Sequence, residues 1–220
     1  MYIRDQHSQA IRVFRWAIFL IAAFYVLRQF IFTADYSGAG GPFRYLTHWG
    51  LLLTFFTASR MLAVTEHRST RDWGVLVGVT AVTNALVVFL YWRLFLIDPA
   101  LVNNGAPTWW VEYYIHLLGP LLQWIDAIFI FGAFRHFWKA LAGLVVVVLG
   151  YIAWIELFVG PTNDLPQGSV TNGLPYPFLN NMVLDDRIGF YATTSATVLV
   201  FLVVFWGLCV AARKVLAQKH

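Results

Sequence analysis

Apolar residues run along this chain in long blocks, separated by short stretches of charge, glycine or proline. Six blocks, at 11–32, 45–64, 73–97, 111–134, 140–160 and 189–212, approach or exceed the ~20 residues a helix needs to cross a hydrocarbon core. Lipid offers no partner to a backbone N–H or C=O, so each block is predicted to be helical. The borders carry matching stop signals: Gly38-Ala39-Gly40-Gly41-Pro42, Asp98-Pro99 and Gly160-Pro161, with charged stretches at 65–72 and 135–139. The pattern predicts an all-α integral membrane protein with six transmembrane helices in one domain, 1–220. One connection is long, at 161–187. Its Pro and Gly content argues against a regular helix, and its apolar Leu174-Pro175-Tyr176-Pro177-Phe178-Leu179 centre predicts a folded cap rather than a free linker.

Composition agrees with the pattern. Of 220 residues, 60% are hydrophobic and 12% charged, against about 25% charged in a soluble domain. The mean hydropathy is +0.66. The net charge of +4 sits in short loops and tails rather than on one face, so it is no nucleic-acid footprint. It sets orientation instead. Arg4, Arg12, Arg15, Arg60, Arg68, Arg71, Arg135, Lys139, Arg213, Lys214 and Lys219 fall on one side of the predicted topology; Arg28, Arg44, Arg93 and Arg187 fall on the other. The positive-inside rule places both termini in the cytoplasm and the long loop before the last helix outside. The expected location is multi-pass, in a bacterial inner membrane or in a eukaryotic plasma or endoplasmic reticulum membrane. The first block is too long for a cleavable signal and reads as a retained span. Cys209 is the single cysteine, so no intramolecular disulfide can form.

Polar residues inside spans are costly and point to function. In the fourth block Glu112, His116, Gly119, Gln123 and Asp126 recur at steps of four and three, which places them on one helical face turned into the bundle. Pro120 lacks an N–H, so the carbonyl of His116 loses its helical partner and the helix bends there. The second block carries Thr47, Gly50, Thr54 and Thr57, a stripe that suits helix packing. Thr47 and His116 each lie about one turn, roughly 6–8 Å, inside the outer border. His48 and Glu156 share that layer, with Arg44 and Arg93 at its rim.

A threonine hydroxyl becomes a nucleophile when a base takes its proton. His116 could be that base, and Glu112, one turn earlier, could orient it. Asp126 lies about 15 Å further along the helix and is expected to brace a neighbour. Trp49, Arg93, Asn180 and Asn181 could contact an oxyanion or head group. Arg187 reads as an ion-pair partner of Asp185 and Asp186. Three functions stay open on the residues alone: a hydrolase acting on a lipid ester, a small transporter or receptor using the Glu112–Asp126 stripe, and a b-type haem carrier ligated by His48 and His116. The hydrolase needs no metal or cofactor, and its partners are the bilayer and its lipid substrate.

The segments GGPFRYLTHWG, HLLGPLLQWID and GYIAWIE, followed by YPFL, resemble the androgen-induced-protein family of multi-span membrane hydrolases, to which rolling-stone proteins look distantly related. The resemblance implies hydrolysis of fatty acid esters of hydroxy fatty acids by an intramembrane threonine and a histidine. By motif position these are similar to Thr47 in YLTHWG and His116 in YIHLLGP, with Asp126 similar to the family's acidic residue.

Overall fold

Helices form where the apolar blocks predict them. They are α1 (Gln9–Phe32), α2 (Leu46–Thr65), α3 (Gly74–Ile97), α4 (Trp109–Phe131) and α5 (Phe137–Thr162), then a short α6 (Pro177–Asn180) and a long α7 (Leu184–Ala217). The computed structural model describes residues 3–102, 108–163 and 173–217, and all regular structure among them is helical. The middle of the predicted cap, at 164–172, and Lys219 lie outside the described residues.

Helix ends follow local chemistry. Ser8 caps α1 by accepting from the Ile11 N–H at 3.4 Å. α4 stops three residues before its apolar block ends, because Gly132 adopts a left-handed φ of 71° and turns the chain.

Among the described residues five helices, α1, α3, α4, α5 and α7, are long and apolar enough to cross a membrane. This differs from the six spans predicted. α2 has the length, at 20 residues, but its threonines, His48, Ser59 and Arg60 lower its hydropathy. Burial separates the helices by role: 72% of the apolar stretch of α3 and 61% of that of α4 is buried, against 22–28% for α1, α5 and α7. The outer helices turn Leu20, Phe24, Val146, Leu149, Val200 and Val203 to the surroundings. So much exposed apolar surface fits a lipid solvent and not water.

Successive long helices run in opposite directions. At one end the N-terminal segment meets the last turn of α4, where Gln6 donates to the Ile130 carbonyl at 3.0 Å, and the turns after α2 and α4 meet where Arg135 bridges to Asp72 at 2.9 Å. At the opposite end Trp154 donates to the Phe43 carbonyl at 3.1 Å and Tyr25 to that of Trp110 at 3.2 Å.

Hydrogen bonds between α2 and α3 account for the threonine stripe. Asn84 donates to Thr54 and Thr57 pairs with Thr80, both at 2.8 Å. Arg15, read from the sequence as one of the loop and tail cations, is instead buried at 1% exposure. Its guanidinium takes both oxygens of Asp126, at 2.7 and 3.1 Å, and donates to Thr65 Oγ1 at 2.8 Å and Gln6 Oε1 at 2.7 Å. Asp126 therefore ties α4 to α1 and α2, as its distance from His116 predicts.

Among the described residues four turns widen from α to π geometry: Arg28–Phe32, Tyr114–Leu118, Asp126–Phe131 and Ile155–Val159. Two of them run directly into Gly-Pro, at 119–120 and 160–161. A proline ring pushes away the carbonyl one turn back and supplies no N–H, so the preceding turn opens.

Candidate functional site

His116 stands in the middle of the π turn that Pro120 opens. Its carbonyl, freed from the helical ladder, accepts instead from the Trp92 indole N–H of α3 at 2.8 Å. The imidazole lies flat on the Tyr91 ring, with centroids 3.6 Å apart and planes 5° from parallel. Nε2 is 3.4 Å from Thr47 Oγ1. Nδ1 is 3.1 Å from Glu112 Oε2, close enough for an ion pair but bent away from the line of a formed hydrogen bond. The Tyr91 hydroxyl also reaches the Glu112 carboxylate. Thr47, His116 and Glu112 thus form a chain of hydroxyl, imidazole and carboxylate, with a 5% exposed histidine at its centre.

Thr47 is held from the other side by two tyrosines. It is the second residue of α2, where backbone N–H groups have no helical partner. The preceding N–H, of Leu46, donates to Tyr151 Oη at 3.1 Å and to Tyr176 Oη at 3.2 Å. Tyr151 itself donates to the Arg44 carbonyl at 2.9 Å, and Tyr176 Oη also lies beside the Thr47 hydroxyl. Tyr176 comes from the predicted cap. Asn180, fully buried, holds that turn: its Oδ1 accepts from the Leu174 N–H at 3.0 Å and its Nδ2 donates to the Leu174 carbonyl at 2.7 Å. Tyr176 sits in this loop outside the spans, and burial pushes its phenol up to about 12, so it stays a protonated donor.

A cavity of about 250 Å³ opens over these groups, lined by Thr47, His48, Glu112 and His116 and otherwise mostly by apolar side chains such as Leu90, Leu94, Ile152 and Phe190.

Several residues expected here do other work. Glu156 does not join His116: Arg187 bridges to it at 3.0 Å and Tyr191 donates to it at 2.7 Å. This also corrects the expected pairing of Arg187 with Asp185 and Asp186, because Glu156 offers a partly buried carboxylate across the helix gap. The Trp49 indole donates to the Phe43 carbonyl at 2.8 Å. Gln123 donates to the Val77 carbonyl at 3.2 Å and Asp126 is held by Arg15, so the stripe on α4 is no continuous polar path. Arg93 is exposed, lies 6.0 Å over the Phe89 ring and does not line the cavity. Asn180 is internal to the cap and Asn181 is exposed beyond it. His48 does line the cavity, edge-on to Phe30. With Nε2 facing Thr47 and Nδ1 facing Glu112, neither nitrogen of His116 is turned to open space as an axial haem ligand must be.

The model of FAR-17a/AIG1-like proteins matches residues 9–204. A search of curated proteins returned no match, and a search of solved structures returned none either.

Proposed function

We propose that the chain, which belongs to the FAR-17a/AIG1-like family, is a membrane-embedded carboxylic ester hydrolase with Thr47 as nucleophile and His116 as base. The observation that carries the reading is the 3.4 Å approach of Thr47 Oγ1 to His116 Nε2, with Glu112 at the other ring nitrogen. That separation is loose for a hydrogen bond, as catalytic contacts often are before substrate binds.

With Nδ1–H turned to Glu112, Nε2 keeps its lone pair for the threonine proton. Thr47 Oγ1 attacks the ester carbonyl as His116 takes that proton. The imidazolium is stabilised by the Glu112 carboxylate, and the tetrahedral oxyanion by a hydrogen bond from Tyr176. Collapse breaks the bond to the alkoxy oxygen, which leaves as an alcohol with the proton from His116. Water then repeats the sequence on the acyl-threonine, releasing a carboxylic acid and restoring the hydroxyl.

The cavity is otherwise lined mostly by apolar side chains, which suits a long acyl chain whose ester lies near the membrane surface. Fatty acid esters of hydroxy fatty acids, implied by the family resemblance, fit that description. The same reading makes α2 a sixth span, shielded by its neighbours. It places both termini in the cytoplasm and the site in the outer leaflet.

Thr47→Ala and His116→Ala should each lower cleavage of a long-chain acyl ester by at least about a thousandfold while the protein stays folded. A fluorophosphonate probe should label the wild type and not Thr47→Ala. Full activity in Thr47→Ala would overturn the assignment.

A further inference from the structure

Next to the apolar cavity lies a polar one of about 350 Å³. The two share Gln29, Tyr45 and His48, and the polar one adds Thr33, Asp35 and Arg44. Three of its lining residues, Gln29, Arg44 and His48, carry N–H donors. Gln29 Oε1 accepts from Arg28 at 2.7 Å and from Thr33 at 3.1 Å, which leaves the amide NH₂ for the cavity. His48 Nδ1 is buried with no protein partner, and its ring is fixed edge-on to Phe30 at 5.3 Å. The Arg44 side chain is 13% exposed, and its Nε is buried and unpartnered.

Among the described residues the anion on Arg44 is Asp35, at 3.3 Å and 62% exposed. Asp35 already accepts from the Ser37 hydroxyl at 2.6 Å and the Ser37 N–H at 2.9 Å. One long contact to a solvated carboxylate leaves a largely buried guanidinium under-neutralised.

We propose that the polar cavity is a carboxylate subsite for a lipid-borne acid. Arg44, His48 and Gln29 are its donors, and Asp35 occupies its rim until the ligand's own carboxylate displaces it. The placement of that lipid's ester at Thr47 rests on the hydrolase reading; the anion site itself does not. One end of an elongated acid would lie on Arg44 and His48. Its chain would pass the Gln29–Tyr45–His48 border into the apolar cavity, so the site would select acids over neutral esters of equal length.

The test uses the full chain in nonionic detergent, with stearate, octadecan-1-ol (neutral, with no ester to cleave) and inorganic phosphate as probes and binding read by calorimetry. Wild type should bind stearate about tenfold tighter than octadecan-1-ol, the scale of one charge-assisted hydrogen bond. Arg44→Gln should erase the preference, and His48→Phe, which keeps the ring contact with Phe30, should reduce it. Asp35→Asn should strengthen stearate binding severalfold, a gain that a structural role for the Arg44–Asp35 pair would not produce.

Equal binding of stearate and octadecan-1-ol by wild type would overturn the subsite, as would weaker stearate binding in Asp35→Asn. Displacement of stearate by millimolar phosphate would also overturn it, by assigning the cavity to a small free ion. Binding is read without turnover, so the two readings fail separately. Acid preference without ester cleavage removes the hydrolase alone; cleavage without acid preference removes the subsite alone.

Discussion

His116 is fixed on every side by a different kind of contact: a flat phenol ring, an indole at its carbonyl, a hydroxyl and a carboxylate at its two nitrogens. An imidazole so confined has one orientation, and preorganisation of that sort is what general-base catalysis requires. Glu112→Gln keeps the shape and removes the charge that would steady the imidazolium. It should lower kcat by about ten- to a hundredfold with little change in KM, measured on the same acyl ester. An unchanged kcat would remove Glu112 from the site. At this scale the sequence was partly legible. Thr47, Glu112 and His116 stand out because polar residues at helical spacing inside apolar blocks are conspicuous. Tyr91, Trp92, Tyr151 and Tyr176 do not, because aromatic residues are ordinary in spans and at membrane borders. Their roles depend on which helices are neighbours, and one chain's periodicity carries no information on that. The same gap explains why Glu156 looked like a site residue: its depth was readable, but Arg187 as its partner was not.

Among the elements, the π turn of α4 has the greatest consequence. Pro120 opens the ladder, Trp92 takes the released carbonyl, and His116, within that turn, faces Thr47 of α2. Pro120→Ala should let the turn tighten to α geometry and draw His116 back from Thr47. The expected outcome is a fall in kcat of about a hundredfold, the scale of an ångström-sized misplacement. The protein should melt no lower than wild type, because the restored hydrogen bond adds to the helix. Activity retained in full would show that the π turn is not what positions the base. The proline's effect on the His116 carbonyl could be read in the sequence, but the indole that satisfies it could not. The cap followed the same division. Its apolar centre signalled a folded segment, while the delivery of Tyr176 to the first turn of α2 appears only in three dimensions.

The whole molecule separates a buried ion-pair clamp from the proposed site along its long axis. One end holds the Arg15–Asp126 pair with Thr65 and Gln6; the opposite end holds Thr47, His116 and the two cavities. Arg15→Met would leave Asp126 charged, buried and unpaired, at an expected cost of about 3–5 kcal/mol. Thermal unfolding in detergent should show that loss, and Arg15→Met combined with Asp126→Leu should recover most of it. A single substitution without effect would mean that the pair is not holding α1, α2 and α4 together. The sequence reads the basic residues as orientation signals, yet one of them is a buried clamp, because charge counting does not distinguish a loop cation from one paired inside the bundle. The number of spans was blurred for a related reason. α2 can carry polar stripes because its neighbours, not lipid, receive them.

The stack of His116 on Tyr91 has a spectroscopic consequence. A phenol 3.6 Å above an imidazole bathes the ring protons in its diamagnetic current, so the Hδ2 and Hε1 resonances of His116 should move upfield of those of a histidine in water. Isotope labelling of histidine alone would make that displaced pair of signals a magnetic signature of the intact site. It could be followed from native membrane to nanodisc to micelle with no substrate added.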